Sequence, residues 1–507
     1  MNNQLIHIPE PPLLFNHNQP MLDPRDGLSL FGPLDQVTKP TGIRWAVVGP
    51  KICIERMVAW VKRIQAPIYS DNTIARPVFS GFEASFNTRW NSEPTLRITV
   101  PDEELWQAAH NTDKHQRVYR TVDIFTERIR NAIREEDVAA DVWCIVIPEY
   151  IYQNCRPMSS VSPELRVSPD RTIRLSDAKK FANAPSLFQE YNDLAEEYLY
   201  EVNFHHQLKA RMLRDRIPIQ IVRELKIAFR DFPLPDKRTK HPLETQESAI
   251  AWNLCTTVFY KAGGRPWKLG AGREGVCYVG LVFKQDEKAE DSRTACCAAQ
   301  MFLDSGDGVV FKGAVGPWYR NKRGLFHLDR RSANEIATMC MNAYADRNGG
   351  KCPSQLFIHG QIRLDDEEWT GFRQGAGPET QVIGVRIQEV PFLKLFTKGT
   401  HPVPRGTAYI ANKHEAYLWT RGVIPRLRTY PGREVPNPLL VEVCRGDADI
   451  EVVLADVLAL TKLNYNTCSY ADGMPVTLKF ANAVGEILTA GPAGKLDVPP
   501  LPFKYYI

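Results

Sequence analysis

The chain has 507 residues, 43% of them hydrophobic and 24% charged, with a net charge of +4. That length supports two or three domains with cores of their own. No apolar run reaches the roughly 18 residues of a membrane helix, and the opening MNNQLIHIPEPP lacks the basic segment and apolar core of a secretory signal. Eleven cysteines without a CxxC pair argue against a disulfide framework or a structural zinc and predict reduced thiols in the cytoplasm. The net charge alone does not announce a nucleic-acid binder, because binding of that kind draws on local basic surfaces.

In chain order, Ile43–Val48 predicts a strand, a helix follows near Ile54–Ile64, then a strand at Leu96–Val100, a helix near Val118–Arg134 and a strand at Asp141–Pro148. Alternation of this kind predicts an α/β unit with a mainly parallel sheet and helices on its faces. Residues 149–186, rich in Pro, Ser and Asn, predict a surface loop. The apolar periodicity of 187–214 predicts one long helix on which His205 and Lys209, four residues apart, share a face. Gln220 follows Pro218 in the β-branched run IPIQIV, a predicted strand edge, and Lys261 closes a helix that Gly263-Gly264 terminates. From about Arg265 the pattern changes to three closely spaced strands, Val276–Phe283, Thr294–Phe302 and Gly308–Lys312. A helix near Ala333–Arg347 and a strand at Gln355–His359 come next, and that order is what an RNase H-like domain requires.

Two ammonium groups, an amide and an imidazole suit a terminal phosphate better than a neutral ligand. Singly, each of His205, Lys209, Gln220 and Lys261 is more commonly a solvated polar residue; together they predict a pocket for a nucleic-acid 5′ end. HHQLK, IPIQIV and YKAGGRPWKL resemble the MID domain of Argonaute proteins, in which residues of these types hold the guide's 5′ phosphate. Pro11–Pro33 resembles the opening of short prokaryotic Argonautes, and LTKLNY with MPVTLKFAN resembles the end of a PIWI domain. The interval from Gln220 to Lys261 is longer than is usual in the family and holds the basic insert Phe232–Pro242.

The resemblance implies a Rossmann-like MID domain over 1–264, with an N-terminal extension, and an RNase H-like PIWI domain over 265–507. A slicing PIWI domain needs carboxylates for two metal ions. The matching positions here carry Val282, Gln361 and Asn482, so the expectation is a protein that pairs guide and target without cutting. Asp304 and Asp307 read as turn residues, and Asp365 to Glu368 as the acidic first turn of a helix. His401, His414 and His205-His206 lack metal-type spacing. Arg421–Arg433 interleaves Arg with Tyr and Pro, which suits either a phosphate backbone or an exposed loop. The resemblance further implies Mg2+ at the 5′ phosphate, helped by the carboxylate of Ile507 and with Gln220 as a further ligand. It implies a small guide, taken as RNA, a single-stranded DNA target, and a heterodimeric partner combining an APAZ region with an effector, TIR-APAZ foremost, in defence against plasmids or phage; sirtuin or nuclease effectors stay open. The rivals are an active RNase H-like nuclease with rearranged carboxylates and a sugar- or nucleotide-binding α/β protein without a guide.

Overall fold

The computed structural model describes residues 4–35, 42–71, 74–135, 139–234, 241–270, 272–285, 294–303, 308–317, 326–430, 432–492 and 501–507. A smaller sheet of four strands runs in the order Leu96–Thr99, Trp45–Gly49, Val142–Ile147, Ile219–Arg223. Every pairing in it is parallel. The strands WAVVG and VWCIVI are apolar throughout because both faces are covered. Trp45 and Val47 face the helix Lys51–Arg63, while Ala46 and Val48 pack with Val118, Val122 and Phe125 of the helix Lys114–Glu135 and with Phe204 and Leu208. Ile219–Arg223 lies at one edge, as IPIQIV predicts.

Two expectations for this half need correction. Residues 149–186 are not a bare loop but include the helices Glu149–Asn154 and Leu175–Asn183. The stretch 187–214 is two helices, Gln189–Leu199 and Phe204–Met212, rather than one. Asn203 breaks it: its backbone is extended, and its side chain accepts hydrogen bonds from the His205 and His206 amides, capping the second helix. The periodicity survives the break because both helices turn apolar faces inward.

The larger sheet has ten strands, ordered Gln4–His7, Thr407–Asn412, Glu415–Leu418, Leu439–Arg445, Gln381–Glu389, Gln355–Gly360, Val276–Gln285, Thr294–Leu303, Gly308–Pro317, Leu501–Pro502. Val276–Gln285, Thr294–Leu303 and Gly308–Pro317 are antiparallel neighbours, and Gln355–Gly360 joins parallel to the first of them after the helix Arg330–Arg347. Asp304 and Asp307 lie outside the described residues. The helix Val476–Leu488 rests directly on this sheet at Gly280, where an added Cβ would stand 1.9 Å from the Thr477 carbonyl oxygen. Beside that contact, buried His359 shares a 3.0 Å hydrogen bond between its Nδ1 and Thr477 Oγ1.

The helix Glu247–Lys261 is largely buried, its Trp252, Cys255, Val258 and Phe259 sharing one core cluster with residues of both sheets. Trp252 meets Phe79 edge-on at 5.0 Å between ring centres. Tyr260 lies 4.6 Å from Tyr465, which in turn packs against Trp267. Farther along the second half, Glu10 accepts from both Arg405 (2.8 Å) and Lys462 (2.9 Å), fastening the N-terminal segment beside the larger sheet. Among the described residues no helix is long and apolar enough to cross a membrane.

Candidate nucleic-acid interface

His205 and Lys209 project from Phe204–Met212 at helical spacing, and Gln220 stands on the edge strand Ile219–Arg223. These three line one recess of about 160 Å³ with His206, Asn466 and Ile507. Phe480, Val484 and Ile487 of the helix Val476–Leu488 form its apolar wall, so both halves of the chain build it. Lys261 stands behind Gln220: its Nζ donates to Gln220 Oε1 and to the Ile219 carbonyl, each at 2.7 Å. Lys209 Nζ donates to the Tyr506 carbonyl at 2.9 Å. The helix carrying Lys261 ends where Gly263 takes a φ of +100°, a conformation that suits glycine.

Both lysines are buried, at 2% and 1% exposure for Lys209 and Lys261. Among the described residues no carboxylate pairs with either; their partners are carbonyl-type oxygens only. Burial accordingly pulls the Lys209 ammonium down to about 7. Lys261 is held well below its usual value by burial and then by the charge of Lys209. His205 remains open to solvent, yet its ring stands in a concavity crowded by protein. That desolvation, followed by the charges of Lys209, His206 and Lys261, keeps it well below the ordinary imidazole range. Basic nitrogens that burial holds back from protonation gain their charge when an anion arrives beside them, which makes the recess a site for one.

His206 was not among the expected contacts, and its setting differs. Its Nδ1 lies 3.1 Å from Glu201 and its Nε2 3.3 Å from Glu486, so it bridges a carboxylate from each half. Beside the first recess, and sharing His205, His206 and Ile221 with it, lies a second of about 360 Å³. Its floor is Ile147, Ile151, Cys155 and Phe204, with the Arg223 guanidinium stacked on Tyr152 at its side, 3.3 Å from the ring centre.

The three positions matched to slicer carboxylates fall on the larger sheet. Gly280 pairs with His359, two residues before Val282 and Gln361 on their respective segments. Val282 and Gln361 line a recess of about 170 Å³ with Leu281, Phe283, Phe326 and Glu368. Asn482 lies on the adjoining helix Val476–Leu488, and its side chain is outside the described set. Among the described residues, one group of metal-type ligands comes close together, His327, Asp365 and Glu368. Glu368 is already engaged, accepting from Leu328 N (2.8 Å), Asp365 N (3.0 Å) and His327 Nδ1 (2.9 Å). Asp365 in return accepts from Glu368 N, which completes a capping box at the start of Asp366–Ala376 and agrees with the structural reading of this acidic run. In Arg421–Arg433, Arg426 is paired with Asp26 at 2.7 Å.

No protein-family model matches the sequence, and no curated protein does. Solved structures do match. The structure of Clostridium butyricum Argonaute, bound to a guide DNA and a 19-mer target DNA, superposes with a TM-score of 0.62 at 14% identity, over 97% of this chain and 54% of that one. Drosophila Piwi gives 0.56 at 12% identity over 99% and 56%, and Aa-Ago with externally bound siRNA gives 0.55 at 13% identity over 99% and 56%. The chain has an Argonaute-like fold. It is a mixed α/β structure similar to the MID and PIWI halves of Argonautes, and it spans a little over half the length of the structures it matches. At these identities the likeness is one of fold, and what the recess binds has to be argued from its own chemistry.

Proposed function

We propose that this chain is a guide-binding protein of the short Argonaute kind, with a MID half over 1–264 and a PIWI half over 265–507. It holds a small RNA by its 5′ phosphate and recognises single-stranded DNA through base pairing. The observation that carries this is the pair of buried lysines without a carboxylate partner at a recess shared by both halves. A phosphate monoester would supply the absent charge, and the adjoining apolar recess has room for the first nucleotide. A neutral sugar would give these burial-depressed amines no reason to take up a proton, whereas a phosphate anion favours their charged forms.

Lys209 and His205 would face the phosphate, and Lys261 would support it through Gln220. Mg2+ fits the oxygen donors at this point: Ile507 lines the recess, and the Gln220 amide oxygen keeps a second lone pair beyond its bond from Lys261. The ion would neutralise phosphate charge there. Val282, Gln361 and Asn482 offer no carboxylate, so the PIWI half would pair a target and leave it uncut. An output would then come from a partner, an APAZ-containing chain with a TIR, sirtuin or nuclease effector, joined as a heterodimer in defence against plasmids or phage.

The test is binding of guides with 5′-phosphate and 5′-hydroxyl ends. Charge-assisted contacts contribute roughly 1.5–3 kcal/mol, so wild type should favour phosphate about tenfold or more, and Lys209→Ala should bind both ends alike. A variant that kept the wild-type preference would refute the assignment.

A further inference from the structure

We infer that Asn466 is a fifth residue of this site, a neutral donor reaching the terminal phosphate from the PIWI half. The inference rests on the phosphate reading above and adds a residue that none of the motif matches supplies. Asn466 lines the recess together with His205 and Lys209. Its main chain is fixed from several sides. The Asn466 amide donates to Asn464 Oδ1 at 2.9 Å, and Asn464 Nδ2 is in turn held by Thr467 Oγ1 and Asp472 Oδ2, both at 2.8 Å. Next to it, Tyr465 is buried among Tyr260 and Trp267 and donates its hydroxyl to the Trp267 carbonyl at 2.7 Å. Beyond it, Cys468 N donates to Asn253 Oδ1 at 2.8 Å.

The Asn466 side chain itself makes no hydrogen bond to any described residue, although it is half-buried. Lys209, Gln220 and His206 of the recess are engaged, while the His205 ring, like Asn466, makes no hydrogen bond to a described residue. Lys209 donates to Tyr506, Gln220 has partners at both its amide oxygen and nitrogen, and His206 lies between two carboxylates. A fixed loop whose unengaged amide lines a recess of basic groups is organised for a ligand, because no protein bond has to break when one arrives. An amide nitrogen offers two donors without adding charge, which suits a phosphate already facing Lys209. The contact also comes from the half opposite to the predicted set, so a bound phosphate would tie the two halves together.

The experiment compares Asn466→Ala and Asn466→Asp with wild type and Lys209→Ala, measuring affinity for 5′-phosphorylated and 5′-hydroxyl guides in Mg2+ and in EDTA. Donation to phosphate predicts that Asn466→Ala loses about tenfold for the phosphorylated guide and nothing for the hydroxyl guide. Asn466→Asp should lose more, with or without Mg2+, because a carboxylate then faces the phosphate. Unchanged phosphate preference in Asn466→Ala, while Lys209→Ala loses it, overturns this inference and leaves the proposed function standing. Affinity gained by Asn466→Asp in Mg2+ alone also overturns it, since the residue would then be a metal ligand. Wild type that does not distinguish the two guides overturns both readings.

Discussion

Lys209 shows what a single residue costs and what it contributes. An ammonium with one carbonyl partner and 2% exposure is poorly solvated, and its position below the usual lysine range records that penalty. His359 carries a comparable penalty away from the recess: full burial pushes its imidazole down to about 3 from the ordinary 6.5. The sign follows from proton counting. Below about pH 6.5 the unfolded chain takes up a proton that the folded chain refuses until about pH 3, so stability falls on acidification through that window, by up to about 1.4 kcal/mol per pH unit. Melting temperatures measured between pH 7 and 4 should decline less steeply in His359→Asn, which does not titrate and can still bond Thr477. An unchanged acid limb would remove His359 from the account.

Elements decide where these residues stand. Val282 and Gln361 line one recess, so the position matched to the first slicer carboxylate has an amide, not an acid, in that recess with it. Val282→Asp alone should therefore not produce guide-directed cleavage in Mg2+ or Mn2+, and cleavage by that variant or by the unmodified chain would restore the active-nuclease rival. The helix Val476–Leu488 touches its strand at Gly280 with no space for a methyl group. Gly280→Ala should push that helix away, at a cost of roughly 1–3 kcal/mol seen in thermal unfolding. Because Phe480, Val484 and Ile487 of the same helix wall the recess, guide affinity should drop with it. A fully stable Gly280→Ala protein with wild-type affinity would show that the helix does not set the site.

At the scale of the whole molecule, the proposed heterodimer accounts for two features. Net charge is only +4, small for a chain that would grip a duplex alone, and a partner could share the basic surface. Large apolar side chains also stand in solvent at two places in the sequence, Phe392 and Phe396 at 85% and 73% exposure and Leu187 and Phe188 at 101% and 68%, and a partner would cover them. Co-expression with the product of a neighbouring gene should yield a stable complex whose effector turns on when guide and target are added. A monodisperse single chain that binds both at full affinity and neither recruits nor activates that product would count against the heterodimer.

Local chemistry determined the parts of this protein that short stretches of sequence control. Alternating apolar runs marked the parallel sheet, Gly263-Gly264 marked the end of the Lys261 helix, and the step from His205 to Lys209 set two side chains on one face. The break at Asn203 was harder to see, because a cap within a periodic stretch leaves the apolar pattern intact on both sides. The strands Gln381–Glu389, Thr407–Asn412, Glu415–Leu418 and Leu439–Arg445 went unread: Gln381–Glu389 and Leu439–Arg445 pair across a long interval, and the hairpin Thr407–Asn412 with Glu415–Leu418 turns at Lys413-His414 without a Gly or Pro to mark it. Tertiary structure alone decided that Lys209 meets the Tyr506 carbonyl, that His206 spans Glu201 and Glu486, and that Asn466 enters the recess. Those residues lie up to 297 positions apart. Periodicity reports on neighbours within a few residues, and only packing of one half against the other brings such distant groups to a single phosphate-sized space.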